Sequence, residues 1–192
     1  MISEQVFDIS DQLVSYCFDL FEKNSYKIID KQQKLFVMHP KEFSYVRDYT
    51  PPEHEYIIDD RVDDFVQLAK NILKSNGFVI DESNDKYNVE MHIGNANEIP
   101  NESIFGVHRD DYGGIEFKVN TLIIYFNVNC EGGEIAFFDG EYQKPKQIIQ
   151  IQNPTKSTCK VVMFEGNVWH NPLKYKFGER FLMSVQIPTI RN

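Results

Sequence analysis

Apolar residues recur at intervals of three and four along the start of the chain. Val6, Ile9, Leu13, Cys17, Leu20 and Phe21 fall on one face of a helix, which predicts an amphipathic helix over residues 3–23 with Ser3 or Ser10 as its cap. A second stripe of Val62, Phe65, Val66, Ala69, Ile72 and Leu73 predicts another helix over roughly 61–75, with Gly77 placed to end it. Between the two, YKIID and KLFVMHP are β-prone pieces divided by the polar KQQK, which suits a hairpin or a pair of edge strands. The segment from Pro40 to Asp60 carries Pro51-Pro52 and no period. From Tyr87 the texture changes to short β-prone runs: YNVEMHI, SIFGVH, VNTLIIYFNV, GEIAFFDG, KQIIQI, CKVVMFEG and RFLMSVQIP. Their spacing of about 8–15 residues points to an antiparallel sandwich or barrel and away from alternating βαβ units.

A chain of 192 residues, 42% apolar and 14% aromatic, suits one domain with a hydrophobic core. Residues 1–86 are expected to be helical and irregular support, and residues 87–192 the β core. With 29 acidic against 20 basic side chains and a formal charge of -9, affinity built on phosphate neutralisation is disfavoured, so no nucleic-acid partner is expected. The first residues lack the basic and apolar regions of a secretory signal, and no run approaches the ~20 apolar residues of a membrane span. A soluble, cytoplasmic protein without a membrane partner is the expectation. Cys17, Cys130 and Cys159 are odd in number and far apart, which suits reduced core thiols better than a disulfide framework.

The chemistry-bearing residues lie in the β-rich part. His108 and Asp110 stand at i and i+2, so on a strand they project to one side and can grip one metal ion together. Alone, such a tripeptide is far more often a surface His beside a solvated acid. His170, after the strand CKVVMFEG, supplies a third group and completes the two-His, one-carboxylate set that leaves open positions on a metal. Arg180 opens the run RFLMSVQIP and puts a permanent cation into apolar surroundings, where it calls for an anionic partner. Gly132-Gly133 suits a turn, and Trp169 a packing residue beside His170. His39 and His54 read as surface residues, and the side chain of Asp111 should face away from His108.

In order, His108-Arg109-Asp110, the strand Thr121 to Asn127 with Tyr125, Gly132-Gly133-Glu134, the strand CKVVMFEG, His170, and Gly178-Glu179-Arg180 resemble the Fe(II)- and 2-oxoglutarate-dependent dioxygenase superfamily and, within it, the prolyl-hydroxylase-like group. The resemblance runs from about Asn88 to Pro188. It implies a mainly β fold, a double-stranded β-helix or jelly roll with the N-terminal helices packed on one sheet. It also implies His108, Asp110 and His170 as ligands of Fe(II), and Arg180 as the partner of the distal carboxylate of 2-oxoglutarate. By position, Thr121 and Tyr125 would hydrogen-bond the co-substrate, although a Thr and a Tyr in a β run equally fill a pleat. His92 stands where related prolyl hydroxylases place a Tyr that touches the co-substrate. The activity implied is hydroxylation of a C–H bond in a protein or peptide residue, using O2, releasing succinate and CO2, with ascorbate as an optional reductant. A free amino acid or another small molecule is the alternative substrate. A cupin-like metal-binding protein that does not use 2-oxoglutarate is the alternative class, and Arg180 argues against it. The nucleic-acid demethylase branch typically carries a second Arg six residues after the first, where this chain has Gln186.

Overall fold

The computed structural model describes residues 2–25, 33–39, 55–84, 87–95, 106–111, 118–141, 143–150, 158–173 and 175–190. In chain order the elements are β1 (Ile2–Asp8), α1 (Asp11–Ser25), β2 (Gln33–His39), β3 (Glu55–Ile58), α2 (Val62–Ser75), β4 (Val79–Ile80), β5 (Asn88–Asn95), β6 (Lys118–Gly132), β7 (Ile135–Phe138), β8 (Gln147–Ile149), β9 (Thr158–Glu165), β10 (Trp169–Pro172) and β11 (Tyr175–Ile190). Eight strands form a large sheet in the order β1-β9-β6-β11-β5-β2-β3, with β4 also paired to β11, and β10-β7-β8 form a small one. The described pairings are antiparallel except β2 with β3.

Strand alternation gives the large sheet two faces. On β6, Leu122, Ile124 and Phe126 join one apolar cluster, together with Cys159, Val161 and Met163 of β9, Phe181, Met183 and Val185 of β11, and the buried stripes of both helices. Ile123, Tyr125, Val162, Phe164 and Leu182 face the other way and pack with Ile135, Phe137 and Ile149 of the small sheet. Phe137 meets Phe164 edge-on across the two sheets, with ring centroids 5.2 Å apart. The molecule is therefore mainly β, a jelly-roll-like sandwich with the helices on the outer face of its large sheet, as the family resemblance implies.

The second helix falls where its stripe places it, at Val62–Ser75, and Gly77 follows with φ 82°. The first does not span 3–23. Residues 2–8 are a strand paired along β9, from Ile2↔Phe164 to Asp8↔Thr158, and Val6, counted in the helical stripe, is 69% exposed. The open edge of β9 supplies a hydrogen-bond partner for each backbone group that faces it, and this outweighs a short run of helical periodicity. The helix starts after Ser10, whose Oγ accepts from Leu13 N–H at 3.3 Å. The aperiodic segment also contributes a strand, β3, so the N-terminal part supplies strands to the sheet as well as helices. KLFVMHP forms β2, which lies between β5 and β3, whereas YKIID lies outside the described residues. Of SIFGVH, 103–105 lie outside them too, and His108 pairs only in an isolated bridge to His170. Cys17 and Cys159 are buried free thiols; burial holds both above the ordinary thiol range, Cys159 at about 11. Among the described residues no helix is long and apolar enough to cross a membrane.

Candidate metal centre

Two short segments come together over the inner face of the large sheet. His108 N–H donates to His170 O at 3.0 Å, and His170 N–H donates to His108 O at 2.9 Å, which sets the two rings side by side with centroids 4.3 Å apart. Each imidazole Nδ1 lies against a carbonyl two residues back on its own segment, Gly106 O at 2.9 Å and Val168 O at 3.0 Å. A carbonyl only accepts, so both Nδ1 atoms carry a proton, which leaves Nε2 as the ligating atom of each ring. Burial is the main reason that the His170 pKa is held below its ordinary value, which favours the neutral ring. Phe164 backs His170 with ring centroids 4.5 Å apart.

Asp110 completes the cluster. Its Oδ1 is 3.7 Å from Nε2 of His108 and 3.7 Å from Nε2 of His170. Its Oδ2 accepts from the Thr121 hydroxyl at 2.5 Å. The backbone is anchored as well, since the N–H groups of Asp110 and Asp111 both donate to Gly166 O, at 2.9 and 3.1 Å, while Gly166 N–H donates to Val119 O at 2.9 Å. A Cβ on Gly166 would collide with Val119 Cγ2, so this close approach requires glycine. One ligand atom from each of His108, Asp110 and His170 lies within 4.8 Å of the others. Two lone pairs and an anionic oxygen aimed at one point repel each other unless a cation sits among them, and the donor set fits a borderline divalent transition metal. Asp111 faces away, as expected, with its Oδ1 3.3 Å from Arg109 Nε.

The other predicted residues occupy the same inner face. Arg180 is 2% exposed and donates from Nη1 to Gly133 O at 3.0 Å. Gly132 and Gly133 turn β6 into β7 with φ of 85° and 78°, a left-handed pair that β-carbon-bearing residues rarely adopt, and this turn presents the carbonyl to the guanidinium. Tyr125 is buried in the inner apolar cluster. His92 pairs in register with Leu182 on β11, and its Nε2 lies 3.2 Å from Glu90 Oε2. Thr121 is drawn to Asp110, a partner that its place in the sequence did not suggest. Sequence reasoning also missed Gly166 and Glu90. The first is marked only by a turn after FE, and the second only by sharing the strand parity of His92.

This two-sheet architecture is similar to that of solved prolyl hydroxylases. The chain is similar over its full length to a Pseudomonas putida prolyl-4-hydroxylase, at 14% identity and a TM-score of 0.57, covering 93% of that chain. It is also similar to the viral collagen prolyl hydroxylase of Paramecium Bursaria Chlorella virus-1 in its 2OG complex, at 17% identity and a TM-score of 0.52, with 98% and 96% of the two chains covered. A prolyl 4-hydroxylase from Phytophthora capsici matches 97% of this chain with 58% of its own, at 14% identity and a TM-score of 0.56. No protein-family model matches the sequence, and no curated protein does.

Proposed function

We propose that this chain is an Fe(II)- and 2-oxoglutarate-dependent dioxygenase that hydroxylates a C–H bond in a protein or peptide residue. The observation that carries this reading is the convergence of His108, Asp110 and His170 on one point, on the same inner face as the buried cation Arg180. Bound Fe(II) with 2-oxoglutarate and O2 supplies the oxidising chemistry, in which the co-substrate becomes succinate and CO2.

The residues of the chain have separate tasks. His108 and His170 offer Nε2, each held in the required tautomer by its carbonyl. Asp110 offers Oδ1 while Thr121 restrains Oδ2, so the carboxylate keeps one orientation before and after metal binding. Arg180 reaches the turn at Gly133, whereas the ligand row at His170 is paired with Phe137 on β7. The two rows lie four residue steps apart along the chain, at most ~13 Å at ~3.3 Å per residue, less the reach of the side chains. That span suits a short dicarboxylate held at one end by the metal and at the other by a planar, bidentate guanidinium. Phe137 and Phe164, buried beside His170, would keep water from the metal. Tyr125 and His92 are assigned to contact with the co-substrate. The whole chain is read as one catalytic domain of a cytoplasmic protein. The prolyl hydroxylases among the similar structures favour a peptide-type substrate over a free amino acid.

Anaerobic addition of Fe(II) and then 2-oxoglutarate tests the reading through the weak visible band of a chelated 2-oxo acid. The band is expected in the wild type, absent in His170→Ala, and shifted to much higher co-substrate concentration in Arg180→Ala. Metal binding with no band at any 2-oxoglutarate concentration would establish the cupin-like alternative instead.

A further inference from the structure

We infer that Arg109 and Trp169 form a brace behind the ligand bridge and act as positioning residues for the metal, an inference that rests on reading His108, Asp110 and His170 as metal ligands. The reciprocal backbone bonds between His108 and His170 make these residues opposite partners in an antiparallel bridge. The next rung therefore sets Arg109 opposite Trp169, and alternation sends both side chains to the face away from the ligand atoms. There the guanidinium carbon of Arg109 lies 5.0 Å from the centroid of the Trp169 ring, within cation–π range. Asp111, on the same side, holds the guanidinium from its edge, with Arg109 Nε 3.3 Å from Asp111 Oδ1.

A brace matters here because the bridge is so short. His108 and His170 meet outside any longer ladder of the two segments, and the carbonyls that orient their rings belong to the same segments as the rings. Those local bonds fix each imidazole on its own segment but do not fix one segment against the other. Between the segments run the two bridge bonds, the bonds to Gly166 O and the Arg109–Trp169 contact directly behind the ligands. Trp169 is in turn paired with Phe138 of β7, so the brace carries the segment bearing His108 and Asp110 onto the small sheet. Neither side chain belongs to an apolar core cluster, and that of Arg109 is 41% exposed. The pair contributes register and little burial. A site whose ligands are already in register gives up less conformational freedom when a metal binds.

Co(II) is the probe, because its visible absorption reports both binding and ligand geometry. Full-length wild type and the variants Arg109→Met, Arg109→Lys and Trp169→Leu are titrated anaerobically without co-substrate, and the thermal midpoint of each metal-free protein is measured alongside. Arg109→Met and Trp169→Leu are expected to bind Co(II) about three- to tenfold more weakly, with metal-free midpoints within about 2 °C of wild type. Arg109→Lys keeps a cation over the ring and should stay within about twofold. Wild-type affinity in both Arg109→Met and Trp169→Leu would overturn the brace while leaving the metal site standing. So would a loss of affinity that merely tracks a fall in metal-free stability. A wild type that binds no Co(II) would overturn the metal reading itself.

Discussion

Along β6, Leu122, Ile124 and Phe126 turn towards the helices, while Thr121, Ile123 and Tyr125 turn towards the small sheet. The outer face is almost wholly apolar: six buried residues of α2 and the stripe of α1 close over it. Among the described residues its buried polar groups include Asn120, whose Nδ2 donates to Thr189 Oγ1. The inner side gathers the buried Asp110, Thr121, His170, Arg180 and Ser184. Burying such groups costs stability that apolar residues of the same size would not. One face therefore holds the fold together, and the other holds chemistry that the fold must support.

That division can be broken by substitution, and the largest effect belongs to the inner side. His170→Ala removes one of three ligands and should weaken Fe(II) or Co(II) binding by more than about 100-fold in a metal titration, with little change in metal-free stability. On the outer face, Phe65→Ala empties a fully buried position and should lower the unfolding free energy by about 3–5 kcal/mol in urea, with metal affinity of the folded protein unchanged. Parallel losses of metal affinity and stability in both variants would refute the division.

Thr121→Val tests whether the hydroxyl bonded to Asp110 serves the site or the fold. Metal affinity should fall about tenfold, while the unfolding free energy changes by about 1 kcal/mol. Arg180→Met sharpens the contrast further. The unfolding free energy should stay within about 1 kcal/mol of wild type although 2-oxoglutarate affinity collapses, as read by the visible band. The smallest effect is at the surface, where Lys74 and Lys70 hold the Glu82 carboxyl down at about 2. A lowered carboxyl pKa stabilises above the unfolded value and loses that contribution as pH falls through the folded one. Glu82 is half exposed, so solvent screening keeps the gain over Glu82→Gln to about 0.5 kcal/mol at pH 7. The difference should vanish between pH 4.5 and about 2.

Much of this arrangement was legible in the linear pattern. The stripe of α2 is strong because its six apolar positions all point one way, and the β runs were visible because Val, Ile and Phe cluster between turn residues. The spacing of His108, Asp110, His170 and Arg180 was legible because ligand and anion chemistry restricts residue type at each position. Residues 2–8 misled because a seven-residue edge strand has too few positions to outvote a helical period, and its partner, β9, lies about 150 residues further along.

The identity of the chemical groups, their order and the parity that puts Arg180, Leu182 and Ser184 on one face are local properties, written into neighbouring residues. Folding decided which groups touch. Thr121 reaches Asp110 across 11 residues, and Arg180 reaches Gly133 across 47. Arg109 comes to lie over Trp169 only because two distant segments form one bridge. Hydrogen bonds and ring contacts act over a few ångströms in space, and separation along the chain carries no record of them until the sheets have closed.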